Sequence, residues 1–302
     1  MDTLIQPQNT VVHPTSLLDS SCILGHNVKI GPFCHVGSNV TIGDGTELVS
    51  NVTILSSTSL GKNCKVYPFA VLGGPPQDKK YSGESTALVI GNQTIIREFA
   101  SIHIGTADGG GITRVGNRCY IMTNVHIGHD CQIDDDVVLA TGAGLAGHVS
   151  VGRGAIVSGQ AGIHQFCRIG QLAFVGGGSM VARDVLPFST VIGNRAMTVG
   201  LNDEGLRRRE WSSESISVLR TAVVTFLNKG EKGLESYLKQ SSNSVDVQVL
   251  LDFMKESLLI NATVSIYSMH EHANTVVLPQ QYRTGVHARD LESARLITMI
   301  PH

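Results

Sequence analysis

The sequence has no marked excess of charge and no long apolar run. The net charge of its 302 residues is −2, which argues against a coat for nucleic acid or a polybasic protein of the membrane surface. No apolar run reaches the length of a membrane span. The opening stretch, MDTLIQPQNT, lacks the basic region and apolar stretch of a signal peptide. We therefore expect a cytoplasmic protein that binds no nucleic acid and has no integral membrane segment.

Aromatic side chains are scarce as well. They make up 5% of the residues, whereas 42% of the residues are hydrophobic and 33 are glycine. The chain is long enough for one large domain or two ordinary ones. We expect a core filled by small aliphatic side chains rather than by rings.

Aliphatic residues recur at every sixth position. The series runs from Val12 to Leu72, resumes from Ile90 to Ile102, and runs again from Val115 to Val181. A helix and an alternating strand both have shorter periods. A solenoid of short strands joined by tight corners does repeat in this way, because each coil covers the apolar face of the next.

The six cysteines follow the same repeat. Each lies four residues after an aliphatic of the series, and no pair has the spacing of a zinc ribbon or of a Cys-x-x-Cys motif. We interpret them as small buried residues, and free thiols agree with a reducing compartment. They are Cys22, Cys34, Cys64, Cys119, Cys131 and Cys167.

Two polar stretches interrupt the period. Residues 75–88, PPQDKKYSGESTAL, would place charged side chains inside the solenoid if the period continued, so we expect an external loop. Residues 105–114, GTADGGGITR, are rich in glycine and shift the period. No helix start follows them, so we expect a flexible loop rather than a phosphate cradle.

Removing the loops stacks four hexads on one face. They begin at Ile102, Ile127, Leu145 and Ile163, and we call the residues that follow these four positions the histidine column. Gly147 is expected above His129, leaving space at that point, and His148 above Asp130. The column and its edge contain His103, His126, His129, Asp130, Gly147, His148, His164 and Gln165.

The repeat and the column together carry a family resemblance. The repeat resembles the hexapeptide-repeat left-handed parallel β-helix, an all-β triangular prism with three hexads in each coil. Residues 10–262 are similar to the UDP-N-acetylglucosamine O-acyltransferases of lipid A biosynthesis. The matching stretches are QDKKYSGE (77–84), IREFASIH (96–103), NVHIGHDC (124–131), LAGHVSV (145–151), GIHQFCRIG (162–170) and GLNDEGLRRR (200–209).

This resemblance implies an activity, partners and site residues. The expected enzyme is a homotrimer that transfers a 3-hydroxyacyl group from acyl carrier protein to the 3-OH of UDP-N-acetylglucosamine. The acyl group is carried on the phosphopantetheine of the carrier, with no other cofactor and no metal. His129 is implied as the base, beside Asp130, and Gly147 as the oxyanion-binding amide. Other implied contacts to the substrates are Asp78, Lys80, His103, His126, His148, Gln165, Asn202, Glu204, Arg208 and Arg209.

The residue types suit this chemistry. Transfer from a thioester to a hydroxyl needs a group that takes one proton and a donor that stabilises one oxyanion. A histidine with an adjacent carboxylate suits the first task, and a backbone amide at a glycine suits the second. Gly177 stacks on Gly159 on the adjoining face, and the resemblance implies that position 177 limits the length of the acyl chain.

The region after Val181 predicts a helical domain. The period ends at Pro187, and SSESISVLRTAVVTFLNKG has the serines, the apolar spacing and the final glycine of a helix. Further helices are expected around 231–240 and 245–259. We expect the β-helix over 1–193, with loops at 75–88 and 105–114, a small helical domain over 194–265, and an extension of unassigned role over 266–302.

Other functions fit parts of the pattern. The acceptor could be a 3-amino UDP-sugar, as in N-acylating hexapeptide enzymes. The histidines could bind zinc, as in hexapeptide-repeat carbonic anhydrases, or the prism could serve only as a scaffold. Residues alone do not separate O-acylation from N-acylation.

Overall fold

The computed structural model describes residues 9–240 and 245–256, and its main part is a parallel β-helix. Strands are short, and up to Val181 each pairs with a strand three places away in the chain, so Val11 lies opposite Lys29 and Lys29 opposite Glu47. Within the described residues this gives three sheets, with eleven, nine and eight strands. The predicted repeat of three hexads in each coil is confirmed.

From residue 9 onward, where the description begins, fourteen strands precede the glycine-rich insertion. They are β1 (Val11–Val12), β2 (Leu17–Leu18), β3 (Ile23–Leu24), β4 (Lys29–Ile30), β5 (His35–Val36), β6 (Thr41–Ile42), β7 (Glu47–Leu48), β8 (Thr53–Ile54), β9 (Thr58–Leu60), β10 (Lys65–Val66), β11 (Val71–Gly74), β12 (Ala87–Ile90), β13 (Ile95–Ile96) and β14 (Ser101–His103).

In the part of the chain that the structure describes, fourteen more strands follow the insertion. They are β15 (Ile112–Val115), β16 (Tyr120–Ile121), β17 (His126–Ile127), β18 (Gln132–Ile133), β19 (Val138–Leu139), β20 (Gly144–Leu145), β21 (Ser150–Val151), β22 (Ile156–Val157), β23 (Gly162–Ile163), β24 (Arg168–Ile169), β25 (Phe174–Val175), β26 (Met180–Val181), β27 (Ser189–Ile192) and β28 (Met197–Leu201).

The aliphatic of each hexad points into the prism. Side chains such as Leu48, Ile54 and Leu139 are fully buried, and the six cysteines are buried beside them as free thiols. Corners between strands use the left-handed backbone region, often at asparagine, as at Asn39 and Asn63, because its short polar side chain tolerates that conformation. The prediction of an aliphatic core with buried cysteines is confirmed.

Both loops are shorter than predicted. Ala87–Ile90 forms strand β12 and Leu88 is fully buried, so the first external loop ends before residue 87 rather than at residue 88. Ile112–Val115 forms strand β15, so residues 112–114 of the second predicted loop belong to a sheet. In both places the apolar residues at the end of the loop pair with the coil below.

The sheet also continues past residue 193. Strand β28 (Met197–Leu201) turns back and pairs antiparallel with β27 (Ser189–Ile192). Helices follow: α1 (Asp203–Arg207), α2 (Ser213–Gln240) and α3 (Val245–Glu256). Gly230 has a non-helical backbone inside α2, so α2 consists of two helical pieces that meet at the glycine predicted to end the first.

The helices share a second apolar cluster. Leu206 of α1, Leu219 and Phe226 of α2, and Leu250 of α3 pack together with Phe188, which precedes β27. No helix in the described ranges is long and apolar enough to cross a membrane. The predicted extension over 266–302 and the end of the third predicted helix lie outside the described residues.

Candidate active site

The four predicted hexads lie in one sheet. Strands β14, β17, β20 and β23 are consecutive neighbours, and Ile102, Ile127, Leu145 and Ile163 are register partners. The polar loop departs from β11, one coil below, where Leu72 pairs with Ile102. The stacking predicted for the histidine column is confirmed.

His129 and Asp130 form a hydrogen-bonded pair. Nδ1 of His129 lies 2.7 Å from Oδ2 of Asp130. The His129 side chain is 15% exposed, whereas that of Asp130 is fully buried. An ionised carboxylate only accepts hydrogen bonds, so Nδ1 carries the proton and Nε2 keeps a free lone pair. A histidine held in this tautomer can accept a proton at Nε2.

Asp130 receives further donors from the glycine-rich insertion. Its Oδ1 accepts the backbone N–H of Thr106 at 2.8 Å, and its Oδ2 accepts the Thr106 hydroxyl at 2.7 Å. Burial by itself would raise the pKa of Asp130, but the hydrogen bonds from His129 and Thr106 outweigh burial and lower that pKa below its usual value. The carboxylate is therefore ionised at neutral pH.

His148 stands above this pair, as predicted. Its Nε2 lies 3.7 Å from Oδ2 of Asp130, and its ring is perpendicular to that of His129 with centroids 5.0 Å apart. On its other side the ring stacks on Phe166 at 4.5 Å. Burial lowers the pKa of His148, although the charges of Asp130 and Asp78 act in the opposite direction. Sequence reasoning missed the contribution of Phe166.

Gly147 packs against the imidazole of His129. A Cβ at Gly147 would lie 2.6 Å from both Cε1 and Nε2 of that ring, so any other residue would displace it. The space predicted at this point is therefore filled by the ring itself. The Gly147 amide donates no hydrogen bond to any residue of the described ranges and lines the cavity beside His129. It is thus able to donate to a bound molecule.

His103 lies one coil below His129, and His126 precedes His129 in the same coil. The rings of His103 and His126 meet edge to face with centroids 5.0 Å apart, and Ser101 Oγ lies 2.9 Å from Nδ1 of His126. Burial, with the nearby charges of His126 and His129, lowers the pKa of His103 to about 4. Burial also lowers the pKa of His126. Both rings are neutral at neutral pH, and Nδ1 of His103 has no partner among the described residues.

An open cavity of about 600 Å³ lies beside His103, His126, His129 and Gly147. Its lining combines four histidines with glycines and aliphatic side chains. The lining residues are Gln77, His103, His126, Gly128, His129, Gly144, Leu145, Ala146, Gly147, Gly162, Ile163, His164, Gln165, Met180, Val181 and Ala182.

The cavity contains a strip with little side chain. His126, Gly144, Gly162 and Met180 are successive register partners up the sheet. A Cβ at Gly144 would meet nothing, whereas one at Gly162 would lie 2.8 Å from the sulfur of Met180. The strip therefore starts beside the histidines and ends under Met180, and sequence reasoning did not identify it.

Gly177, the predicted chain-length residue, lies outside this lining. A Cβ at Gly177 would lie 3.4 Å from the carbonyl oxygen of Gly159, so the two glycines stack as predicted. They occupy the corner that follows β22 and β25 and leads to the sheet of the histidine column. The structure places Gly177 beside the cavity's face rather than among its lining residues.

The external loop contributes Gln77 to the cavity lining, whereas the predicted residues Asp78 and Lys80 are not among the lining residues. The negative charge of Asp78 opposes the lowering of the His148 pKa. Asp78 also accepts the backbone N–H of Lys80 at 3.0 Å, and Lys80 is exposed. Of the residues above the base, His164 and Gln165 both line the cavity.

The four predicted C-terminal residues lie elsewhere in this chain. Asn202 is buried and caps α1, accepting from Gly205 and donating to the carbonyl of Leu172. Glu204 and Arg208 form an exposed ion pair at 2.9 Å. Arg209 donates to the carbonyl of Gly154 and lines a separate cavity of about 540 Å³ with Arg153 and Trp211. The structure does not bring these four side chains to the histidine cavity of the same chain.

His129, Asp130 and His148 are also close enough to be considered as metal ligands. Their present hydrogen bonds do not favour that use. Nδ1 of His129 carries a proton, and Oδ2 of Asp130 already accepts from His129 and Thr106. Coordination needs a free lone pair on each ligand atom, so a metal ion held by Nδ1 of His129 and Oδ2 of Asp130 would have to displace these hydrogen bonds.

Family models match both parts of the chain. Residues 184–259 match the second domain of UDP-N-acetylglucosamine O-acyltransferase. Residues 21–56 and 112–147 match the bacterial transferase hexapeptide repeat. The two matches correspond to the helical part and to the coils of the prism.

Curated relatives and solved structures extend the similarity. The acyl-[acyl-carrier-protein]–UDP-N-acetylglucosamine O-acyltransferase of Thiobacillus denitrificans is 48% identical over 246 residues, which are 80% of this chain and 95% of that protein. The enzyme of the same name from Halorhodospira halophila is 46% identical over 82% of this chain and 97% of its own. The crystal structure of UDP-N-acetylglucosamine O-acyltransferase from Moraxella catarrhalis has a TM-score of 0.80 at 42% identity, covering 82% of this chain and 98% of that one.

Proposed function

Since the chain belongs to the UDP-N-acetylglucosamine O-acyltransferase family, we propose that the histidine cavity is where it transfers the acyl group. The fold is the left-handed parallel β-helix of this family. The enzyme is an acyltransferase of lipid A biosynthesis that moves an acyl group from acyl carrier protein to UDP-N-acetylglucosamine.

His129 acts as the general base in this proposal. Its Nε2 removes the proton from the 3-OH of the sugar as that oxygen attacks the thioester carbonyl. Asp130 accepts from Nδ1 and so keeps the reactive nitrogen unprotonated, and it stabilises the imidazolium that forms. The single observation that supports this most is the 2.7 Å contact between Nδ1 and a fully buried carboxylate.

The Gly147 amide stabilises the tetrahedral intermediate. The negative charge that develops on the former carbonyl oxygen needs a donor already in place, and the Gly147 N–H has no other partner among the described residues. Collapse of the intermediate breaks the carbon–sulfur bond. The departing thiolate of phosphopantetheine takes the proton from His129, which restores the free base.

The other residues bind substrate. Neutral His103 and His126, with Gln165, suit the hydroxyl and amide groups of an N-acetylated sugar, since a neutral imidazole both donates and accepts. Asp78 and Lys80 reach from the loop, with Lys80 suited to phosphate. His148 helps orient the acceptor beside Asp130. The donor is a 3-hydroxyacyl chain, and neither a metal nor a further cofactor takes part.

A homotrimer would complete the site. Asn202, Glu204, Arg208 and Arg209 lie away from the histidine cavity of their own chain, so in this proposal they contact the nucleotide or the carrier from a neighbouring copy. An exposed ridge of phenylalanines on one corner supports association, because Phe33, Phe69 and Phe99 are more than half exposed and the last two stack at 5.1 Å. All six cysteines are free thiols, as expected for an enzyme that functions in the reducing cytoplasm.

An assay with two acceptors tests the proposed reaction. Purified protein is incubated with 3-hydroxyacyl carrier protein and either UDP-N-acetylglucosamine or its 3-amino analogue, and the product linkage is read by mass spectrometry and alkaline hydrolysis. An ester formed on the hydroxyl acceptor supports the proposal. Faster formation of an amide on the amino acceptor would contradict the proposal and indicate N-acylation instead. Light scattering on the same sample measures whether the protein is a trimer.

A further inference from the structure

The glycine-rich insertion is folded onto the catalytic carboxylate. Thr106 is buried, and the segment after it turns back, with the amides of Gly109 and Gly111 donating to the Thr106 carbonyl. The sequence predicted a flexible loop here. The structure instead shows a turn that closes over the carboxylate of Asp130.

Thr106 donates to both oxygens of that carboxylate. Its backbone N–H donates to Oδ1 and its hydroxyl to Oδ2. The Thr106 hydroxyl oxygen also accepts the N–H of Gly109 at 3.1 Å. A hydroxyl has a single hydrogen, so this contact from Gly109 leaves the hydrogen directed at Asp130. The two donors fix the rotation of the carboxylate about its Cβ–Cγ bond.

Gly109 leaves space for the Asp130 carboxylate because it has no side chain. A Cβ at Gly109 would overlap Cγ and both oxygens of Asp130, and a Cβ at Gly105 would lie 2.8 Å from Oδ1. Neither position tolerates a side chain while the carboxylate stays in place. The insertion thus contacts Asp130 with hydrogen-bond donors and with backbone that carries no side chain.

We propose that Thr106 is a positioning residue, which holds the Asp130 carboxylate at the angle that keeps the proton of His129 on Nδ1. The backbone N–H anchors one oxygen, and the hydroxyl sets where the other lies relative to the imidazole. This inference rests on the proposed function, because the angle affects turnover only if His129 is the base. Thr106 touches neither substrate nor the reacting atoms and acts only through Asp130.

Replacing the hydroxyl by a methyl group isolates this role. Thr106→Val keeps the shape and the backbone N–H but removes the donor to Oδ2, so we expect kcat to fall about tenfold because a misplaced base loses rate, while KM stays unchanged. Thr106→Ser restores the donor and should recover most of kcat. Thr94→Val is the matched control, since Thr94 is also buried and its hydroxyl is hydrogen-bonded to the backbone of Gly116 and Cys119, away from Asp130. It should lower thermal stability without lowering kcat.

Two further measurements separate positioning from a general structural role. In an Asp130→Asn background, Thr106→Val should cost no further kcat, because its effect passes through the carboxylate. In ¹⁵N spectra of labelled protein without substrates, Thr106→Val should move His129 toward the tautomer protonated at Nε2. An equal loss of kcat in both backgrounds, or an unchanged tautomer with a reduced kcat, would overturn the proposal.

The tautomer measurement also keeps this inference distinct from the proposed function. If wild-type enzyme transfers no acyl group, the proposed function fails whatever the spectra show. If the wild type is active and Thr106→Val is unchanged in kcat and tautomer, only the role of Thr106 fails. Should Thr106→Val not fold, Gly109→Ala provides the second variant, because its Cβ must displace the carboxylate and should lower kcat at unchanged KM.

Discussion

The ring of Phe166 lies parallel to the ring of His148, with their centroids 4.5 Å apart and 11° between their planes. Both residues occupy corner positions with left-handed backbone, one coil apart. The stack fixes the imidazole of His148 beside Oδ2 of Asp130. Phe166, an apolar residue, therefore orients His148, which is proposed to bind the acceptor.

Phe166→Leu should weaken acceptor binding without abolishing turnover. Leucine fills part of the volume but offers no flat face, so His148 gains rotational freedom. We expect KM for UDP-N-acetylglucosamine to rise about threefold to tenfold, with kcat reduced by less, in steady-state kinetics with saturating acyl donor. Thermal unfolding of the same variant provides the control. A fall in kcat at constant KM would instead place Phe166 in support of the base.

Stability should depend on pH through the buried histidines. His103 has its pKa lowered from 6.5 to about 4, so in the folded protein it stays neutral where the unfolded chain takes up a proton. The unfolded state binds more protons in this interval, and stability falls as pH drops from about 6.5 to about 4. The Asp130 contribution is lost only at lower pH, since its folded pKa is lowered.

The measurement is the melting temperature across this pH range for wild type and His103→Gln. Glutamine keeps a polar side chain of similar length and does not titrate, so the variant should lose less stability between the two pH values than the wild type. Parallel curves would show that other groups, such as His126 or His148, account for the slope.

Acyl-chain length provides a test with paired variants. Gly177→Met adds a flexible apolar side chain at the position that the family resemblance indicates, and it should shift preference toward shorter donors with little change in KM for the sugar. Met180→Ala removes the side chain that covers Gly162, and it should shift preference toward longer donors. Rates with a series of acyl carrier protein thioesters give both profiles. A shift with Met180→Ala alone would place the limit on the histidine face.

Lys80→Ala should raise KM for the sugar nucleotide and leave the assembly intact. Lys80 is exposed on the external loop and contributes nothing to the core, so its loss removes a charge for phosphate without unfolding the prism. Lys79→Ala on the same loop is the matched control and should change KM less. Unfolding of Lys80→Ala would show that the loop is structural.

The repeat made most of the fold predictable from sequence. A strict period of six residues predicts where each strand lies. With three strands in each coil it also predicts which strands stack, so the pairing of Ile127 with Leu145 follows from their separation of 18 residues in the sequence. The ends of the insertions were harder to place. Leu88 and Thr113 belong to strands only because they pair with the preceding coil, which the local sequence does not reveal.

The site was predictable where it follows the repeat. The same count, one position earlier in each hexad, would have found the strip of Gly144 and Gly162. The placement of Thr106 could not be counted, because it depends on the path of an insertion that breaks the period. The cap made by Asn202 had a local signal, since asparagine before two acidic residues is typical of a helix start.

The most direct test of this account is the kcat of His129→Ala beside that of His126→Ala, with 3-hydroxyacyl carrier protein and UDP-N-acetylglucosamine as substrates. If His129 is the base, its replacement should lower kcat by about a hundredfold or more, whereas His126→Ala should act mainly on KM. Similar losses of kcat in both variants, accompanied by loss of bound zinc measured on the same samples, would contradict the account and favour a metal site.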